Sequence, residues 1–290
     1  MSLKSLDGRL CLVTGAASGI GRATARAAAR EGARLVLTDV NAAALEEVAT
    51  ELSGSVVLSR ALDIADESAV RELAADTHEK HGSVDVAMNI AGIATWGSVD
   101  RLSHEQWRRT IDVNLMGPIH VIEHFVSEMI RAGRGGHLVN VSSAAGLAGL
   151  PLHAPYSASK YGLRGVSEVL RFDLRRHGIG VSLVCPGGVD TGLVGTVDIA
   201  GVDRAALADS PFTARFRRRA VSPEAVAERI LKAIKRNRYL VYTSQDIRAL
   251  YLAERFTPHV YQLIMRVAND MMVRELKRIG KRSGTTTQKA

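Results

Sequence analysis

The sequence predicts an α/β fold, a doubly wound parallel sheet covered by helices on both faces and followed by a helical C-terminal extension. Three observations carry this. Short runs rich in Val, Leu and Ile alternate with longer, Ala-rich amphipathic stretches. The short runs are continuously apolar rather than alternating, as strands buried on both faces must be. A glycine-rich segment follows the first run, at the point where such a fold turns from strand to helix. With 290 residues, 46% of them hydrophobic, the chain can bury one large core, so a single domain with an appendage is favoured over two equal domains.

Taken in order, "RLCLVTG" is the first strand and residues 18–31 the first helix. "ARLVLTD" and a helix over 42–52 come next, then "VVLSRALD" and a helix over 67–81, then the strand "VDVAMNIAG". A helix around 104–132, the strand "GHLVNVSS", a helix around 156–177 and the strand "GVSLVCPGG" continue the alternation. Residues 189–221 break the rhythm with Gly192, Gly195, Gly201, Pro211 and the cluster "RFRRR", and read as a lid-length loop or short-helix excursion. Ser222 then serves as N-cap and Pro223 as first helical residue of "SPEAVAERILKAIKRN", ahead of a last strand, "RYLVYT". Residues 1–243 form the expected catalytic domain and 244–283 a helical extension divided at Pro258, while 284–290 are an expected disordered tail.

Composition excludes several classes of function. Cys11 and Cys185 both lie in apolar runs, which suits buried thiols of a reducing compartment and leaves no metal site. No run reaches the length of a membrane-spanning helix and the N-terminus lacks a signal-peptide pattern, so a cytoplasmic protein is expected. The net charge of +8 is uneven: residues 213–290 hold 18 Lys and Arg against 6 Asp and Glu, whereas residues 1–212 hold 20 against 24. Neither a reading module nor interleaved aromatics accompanies this charge, so no nucleic acid partner is expected.

The segment "TGAASGIGR" places Gly15, Gly19 and Gly21 between the first strand and first helix. Glycine permits the tight turn and lets a pyrophosphate reach the helix N-terminus, where free amides favour an anion. Thr14, Ser18 and Ile20 complete this candidate dinucleotide-binding turn. Eighteen residues past Gly21 the second strand ends in Asp39, placed to accept hydrogen bonds from an adenosine ribose and to repel a 2′-phosphate. The next residue, Val40, offers no compensating cation, so NAD is expected over NADP. Asp63 and Ile64 close the third strand, and Asn89, Ala91 and Gly92 the fourth, both facing the crevice at the carboxyl ends of parallel strands.

In "PYSASKYG", Tyr156 and Lys160 stand one helical turn apart and share a face, thirteen residues after Ser143 in "NVSSAAG". Together with "TGAASGIG", "NIAG", Asn114 in "DVNLMG" and "PGGVDT", all in the same order, these motifs make residues 7–243 resemble the classical short-chain dehydrogenase/reductase family. The resemblance implies a Rossmann-type sheet and hydride transfer between a nicotinamide and an alcohol or ketone. Such a reaction needs one group to take and return the hydroxyl proton, and Tyr156 is its candidate. A phenol titrates near ~10, and a neighbouring ammonium and a cationic nicotinamide are expected to lower that value.

The resemblance further implies that Lys160 also binds the nicotinamide ribose and that Ser143, with Ser142 as fallback, donates to the substrate oxygen. It makes Asn114 a helix-kinking residue that holds a water relaying protons from Lys160, and it gives Pro186, Gly187, the Val189 backbone and Thr191 the nicotinamide carboxamide or phosphates. Hydride transfer on the pro-S side and a homodimer or homotetramer formed through the helices carrying Asn114 and Tyr156 also follow from it. Two departures stand out: Ile90 in "NIAG", where the family more often has a second Asn, and the extension, which the family's core does not require.

Leu147, Leu150, Leu152, Leu193 and Val194 near the expected cleft favour a small-molecule lipophilic substrate over a sugar or small acid. His153, in the loop before Tyr156, is expected to be solvated, with contact to the substrate as the other reading. In the extension, Leu250, Phe256, Val260, Leu263, Ile264, Val267, Met271 and Leu276 recur at helical spacing among many cations. The stripe is expected to pack on the protein's own core or on another subunit; peripheral contact with an anionic membrane and with an acidic carrier are the other readings. The basic C-terminal quarter likewise keeps open an NADPH-dependent reductase of carrier-bound 3-oxoacyl groups or other carbonyls, and a non-catalytic dinucleotide sensor is the reading from another class.

Overall fold

The computed structural model describes residues 3–190, 197–202, 213–214, 218 and 220–282, with no side-chain description for 276, 277 and 280–282. Strand β1 (Leu10–Thr14), helix α1 (Gly19–Arg30), β2 (Arg34–Asp39), α2 (Ala42–Glu51), β3 (Val56–Ala61), α3 (Glu67–His81) and β4 (Val86–Asn89) form the first half. After a short strand β5 (Thr95–Trp96) and the long helix α4 (residues 104–132), β6 (Gly136–Val141), α5 (Ala154–Asp173), β7 (Ile179–Cys185), the short β8 (Asp198–Ile199), α6 (Pro223–Arg236) and β9 (Leu240–Tyr242) follow, with β6, β7 and β9 completing the sheet. Its order is β3-β2-β1-β4-β6-β7-β9, all parallel, so the winding reverses between β1 and β4. That reversal opens the crevice in which doubly wound sheets bind ligands.

Burial on both faces explains the unbroken apolar strands. Successive side chains leave a strand on opposite sides. Cys11 and Val13 of β1 therefore enter the core layer under α1 and α6, with Ala23, Ala27, Val226 and Ile230. Leu10 and Leu12 enter the opposite layer, with Leu73 of α3 and Phe125 and Met129 of α4. Local capping agrees with the element boundaries: Asn41 accepts from the Ala44 amide, Asp66 from Ser68 and Ala69, and Ser222 from Ala225.

Helix α4 is irregular, and its first irregularity falls at Asn114, where the resemblance implies a kink. Over residues 104–132, α-helical stretches His104–Ile111, Gly117–Val121 and Ser127–Ala132 are separated by π-helical turns at Asp112–Met116 and Ile122–Val126. The first π turn holds Asn114, whose amide donates to the Ile93 carbonyl while its oxygen accepts from the Ile93 amide, both at 2.9 Å. An inserted residue rotates the helix and aims a side chain that a regular turn would place elsewhere.

Two short strands were not anticipated, β5 (Thr95–Trp96) and β8 (Asp198–Ile199), which pair in parallel outside the main sheet. Strand β8 belongs to the expected excursion, most of which, including Thr191, Leu193 and Val194, lies outside the described residues, as does the tail from 283. The extension forms α7 (Gln245–Phe256) and α8 (Pro258–Arg282), divided at Pro258 as expected. Packing of the whole stripe on the core is corrected: Phe256, Val260, Leu263, Ile264, Val267 and Met271 are all exposed. The helix turns a neighbouring face inward instead, with the Tyr261 hydroxyl donating to the Gly149 carbonyl at 2.8 Å and Ile279 buried.

Candidate active site

At the carboxyl end of β1 the chain turns through Gly15, whose φ of +69° favours glycine. A Cβ on Gly15 would lie 2.8 Å from Ala91 Cα, and one on Gly21 would overlap the Gly15 carbonyl oxygen. The glycines thus close the α1 N-terminus onto the ends of β1 and β4. Ser18 caps α1 without a side-chain hydrogen bond, so the first amides keep their capacity for an anion. Asp39 braces the same turn, accepting from the amides of Ala17 and Asn41 at 3.0 Å each. Its remaining lone pairs stand at the end of β2, and the adjacent Val40 is exposed. Arg22 and Arg26 are both engaged by Glu51, at 3.1 and 2.6 Å, and their hydrogen bonds pull its carboxyl down to about 2.

Other sequence-predicted residues divide between crevice and scaffold. Buried Thr14 accepts the amides of Ile90 and Ala91 at 3.0 and 3.1 Å, pinning the end of β4 to β1. The Asn89 side chain is turned into the protein and donates to Asn140 Oδ1 at 2.9 Å, leaving its backbone at the strand end. Asp63 pairs with Arg109 at 2.7 Å, and Ile64 is buried against the α3–α4 layer. Pro186, Gly187 and Val189 border the large pocket beyond β7, together with Ile20 and Gly92.

That pocket, about 620 Å³, also brings together Ser143, Tyr156 and Lys160. Tyr156 and Lys160 come from the first turns of α5, and Ser143 from the turn after β6. Lys160 is 3% exposed, donates to the Val141 carbonyl at 3.0 Å and stands 5.7 Å from the Tyr156 ring centre. Burial lowers its ammonium to about 8. Burial raises the Tyr156 phenol above its ordinary value, with a hydrogen bond from Ser143 pulling the other way. In the protein alone desolvation outweighs that hydrogen bond, whereas the expected lowering concerns the phenol beside a bound cationic nicotinamide.

Geometry separates the two serines. Ser142 is buried and its hydroxyl donates to the Lys160 carbonyl at 3.0 Å, so its proton is committed. The Ser143 oxygen accepts the Ala145 amide at 3.1 Å, which leaves its proton to donate. Asn114, fully buried in its π turn, also reaches Ser159 at 3.3 Å. Its oxygen and Lys160 Nζ both border Gly92, at 3.0 and 3.4 Å from where a Cβ would sit.

The remaining wall is mostly apolar and includes residues that sequence reasoning missed. Leu150 lines it as expected, but Leu147 is buried beneath it. Trp96 from β5 contributes, and its indole N–H is buried without a partner among the described residues. Ile247 and Leu250 from α7 and Met272 from α8 close the far side, so the extension is part of the pocket. His153 also corrects its expectation: it is buried, stacks against Trp96 with ring centres 4.4 Å apart and shares a 2.6 Å hydrogen bond with the Pro151 carbonyl. Burial lowers its imidazole to about 4. Its loop folds back through Leu152, at φ +64°, and that reversal was not visible in the sequence.

Comparison with known proteins agrees with this architecture. The chain matches the short chain dehydrogenase family model over residues 9–199. It is 34% identical over 264 residues to the probable oxidoreductase EphD of Mycobacterium tuberculosis, covering 89% of this chain and 45% of that protein. The chain therefore spans less than half the length of that relative. It is 39% identical over 205 residues to the uncharacterized NAD-dependent oxidoreductase Rv0687 of the same species, covering 66% of this chain and 74% of the relative. A short chain dehydrogenase/reductase from Burkholderia phymatum, crystallised in complex with NAD, superposes with a TM-score of 0.81 at 30% identity, covering 89% and 96% of the two chains.

Proposed function

The chain belongs to the short-chain dehydrogenase family, and on that premise we propose that it transfers hydride between NAD(H) and a lipophilic secondary alcohol or ketone. The observation that carries this reading is the convergence of Ser143, Tyr156 and Lys160 on one largely apolar pocket at the carboxyl ends of the strands. The glycine turn, where any Cβ on Gly15 or Gly21 would collide with backbone, fits a dinucleotide pyrophosphate. The relatives described as NAD-dependent or crystallised with NAD support the choice of dinucleotide, as does Asp39. When bound, the dinucleotide supplies the hydride donor or acceptor and, in its oxidised form, a positive charge beside the phenol.

The chain's own residues handle the proton. Tyr156 takes it from the alcohol hydroxyl or returns it to the forming alkoxide, as general base or acid. Lys160, held by the Val141 carbonyl, keeps a positive charge facing the phenol and favours its ionised form. Ser143 donates to the substrate oxygen and stabilises the charge that develops there. Asn114, whose oxygen borders Gly92 beside Lys160 Nζ, positions the path by which Lys160 exchanges protons with solvent. Ile93, Leu150, Ile247 and Leu250 exclude water from the reacting atoms and favour an apolar substrate body.

The same reading includes a homo-oligomer, supported by exposed Met116 on α4 and Val169 and Phe172 on α5. The test is turnover of a panel of lipophilic secondary alcohols and of linear polyols, each with NAD and NADP. The expected result is highest kcat/KM for NAD with a lipophilic alcohol. Preference for polyols would overturn the substrate class, and preference for NADP with 3-oxo substrates would favour the reductase alternative.

A further inference from the structure

Seven of the twelve large apolar side chains exposed among the described residues lie on α7 and α8. On α8, Val260, Leu263, Ile264, Val267 and Met271 are 44–63% exposed, and their spacing sets them in one continuous stripe. The adjacent face of the same helix is occupied: Tyr261 is bonded to Gly149 and Met272 forms part of the pocket wall. A single helix therefore presents one face to the catalytic pocket and leaves an apolar neighbouring face bare.

Charge identifies what would cover it. Residues 245–282 carry 8 Lys and Arg against 4 Asp and Glu. Arg274 and Arg278, three and seven residues past Met271, continue the stripe's own face and are exposed. A second copy would bring two faces of like net charge together, whereas an anionic lipid surface matches both the apolar stripe and the cations that extend it. Ile247 and Leu250 of α7 and Met272 of α8 line the pocket, which puts the cavity behind this face.

We propose that the exposed face of α8 seats on an anionic lipid surface, with Arg274 and Arg278 among the headgroups, and that lipophilic substrate reaches the pocket past Leu250 and Met272 from that surface. The route rests on the proposed function; the docking does not. Because the stripe residues are solvent-exposed, their replacement by polar residues leaves the core and the pocket lining unchanged.

The full chain is mixed with vesicles of phosphatidylglycerol and phosphatidylcholine, or of phosphatidylcholine alone, and sedimented. Wild type is expected to pellet with the anionic vesicles and to be released by salt. A Leu263→Gln, Val267→Gln, Met271→Gln triple variant and an Arg274→Glu, Arg278→Glu double variant are each expected to bind about tenfold or more weakly. Both variants should keep the wild-type unfolding temperature and wild-type turnover of a short, water-soluble secondary alcohol. Equal pelleting of wild type and variants, or wild type remaining in solution, overturns the docking. A fall in oligomer mass in the triple variant with vesicle binding unchanged assigns the stripe to a second copy and also overturns it. Vesicle binding that follows the variants while no alcohol is turned over upholds the docking and removes the route together with the proposed function.

Discussion

Lys160 Nζ stands 5.7 Å from the centre of the Tyr156 ring and is held there by the Val141 carbonyl at 3.0 Å. One turn of α5 supplies both groups, and β6 supplies the carbonyl that fixes the second. The site is short of charge: burial draws the ammonium down to about 8 and drives the phenol up. Each protonation state in it is therefore set by very few neighbours, and a bound cation would act at full strength.

The Tyr156 phenol is the group whose removal tests this arrangement. Phenylalanine fills the same space and forgoes only the hydroxyl with its Ser143 interaction. Tyr156→Phe is expected to lower kcat by about 10²–10⁴-fold while leaving dinucleotide affinity near wild type. Steady-state turnover beside a fluorescence titration with NADH separates the two effects. A loss below about tenfold would show that another group moves the proton.

Asp39 is argued to set the choice of dinucleotide through its charge at the end of β2. In Asp39→Ala the repulsion of a 2′-phosphate disappears, as do the bonds from Ala17 and Asn41. Titration of NADH and NADPH into wild type and variant is expected to show NADH preferred in the former and that preference lost in the latter, chiefly through weaker NADH binding. An unchanged preference would move selectivity to another part of the pocket.

The serine pair gives a contrast within two residues. Ser143→Ala removes the hydroxyl donor that meets Tyr156 in the pocket and is expected to lower kcat by about 10²-fold or more, with stability near wild type. Ser142→Ala removes the bond to the Lys160 carbonyl and is expected to cost about 1 kcal/mol of stability with a smaller loss of turnover. Chemical denaturation of both variants, paired with turnover, tests the assignment. Reversed outcomes would make Ser142 the donor.

The strands were legible in the sequence because two buried faces require unbroken apolar runs, as Leu10 to Val13 illustrate by entering opposite core layers in turn. The Tyr156 and Lys160 pair was legible for a similar reason, since helical spacing alone places both on one face. What escaped depends on contacts distant in sequence. The resemblance marks Asn114 as a kink, but the Ile93 backbone that its π turn meets, and the second π turn at Ile122–Val126, have no local signal. Met272 reaches the pocket only because α8 rolls its exposed stripe outward, a choice between two apolar faces that helical periodicity leaves open. His153 lacked a local signal as well: its burial comes from Trp96, more than fifty residues earlier in the chain.

That burial makes His153 an acid-sensitive element of the fold. Its imidazole and that of His137, buried against Ser182, are both lowered from 6.5 to about 4 by desolvation. Where a folded-state value lies below the unfolded one, the unfolded chain binds the extra proton through the interval, so stability rises with pH across it. Stability is thus fully present above about 6.5 and is lost as pH falls toward 4, by an amount on the order of 3 kcal/mol for each histidine. His153→Phe keeps an aromatic ring against Trp96 and cannot be protonated. Denaturant titrations at pH 7 and pH 4.5 are expected to show a smaller acid loss in this variant than in wild type. Parallel losses in both proteins would mean that His153 opens to solvent before it titrates, and that the stack with Trp96 does not hold the loop closed.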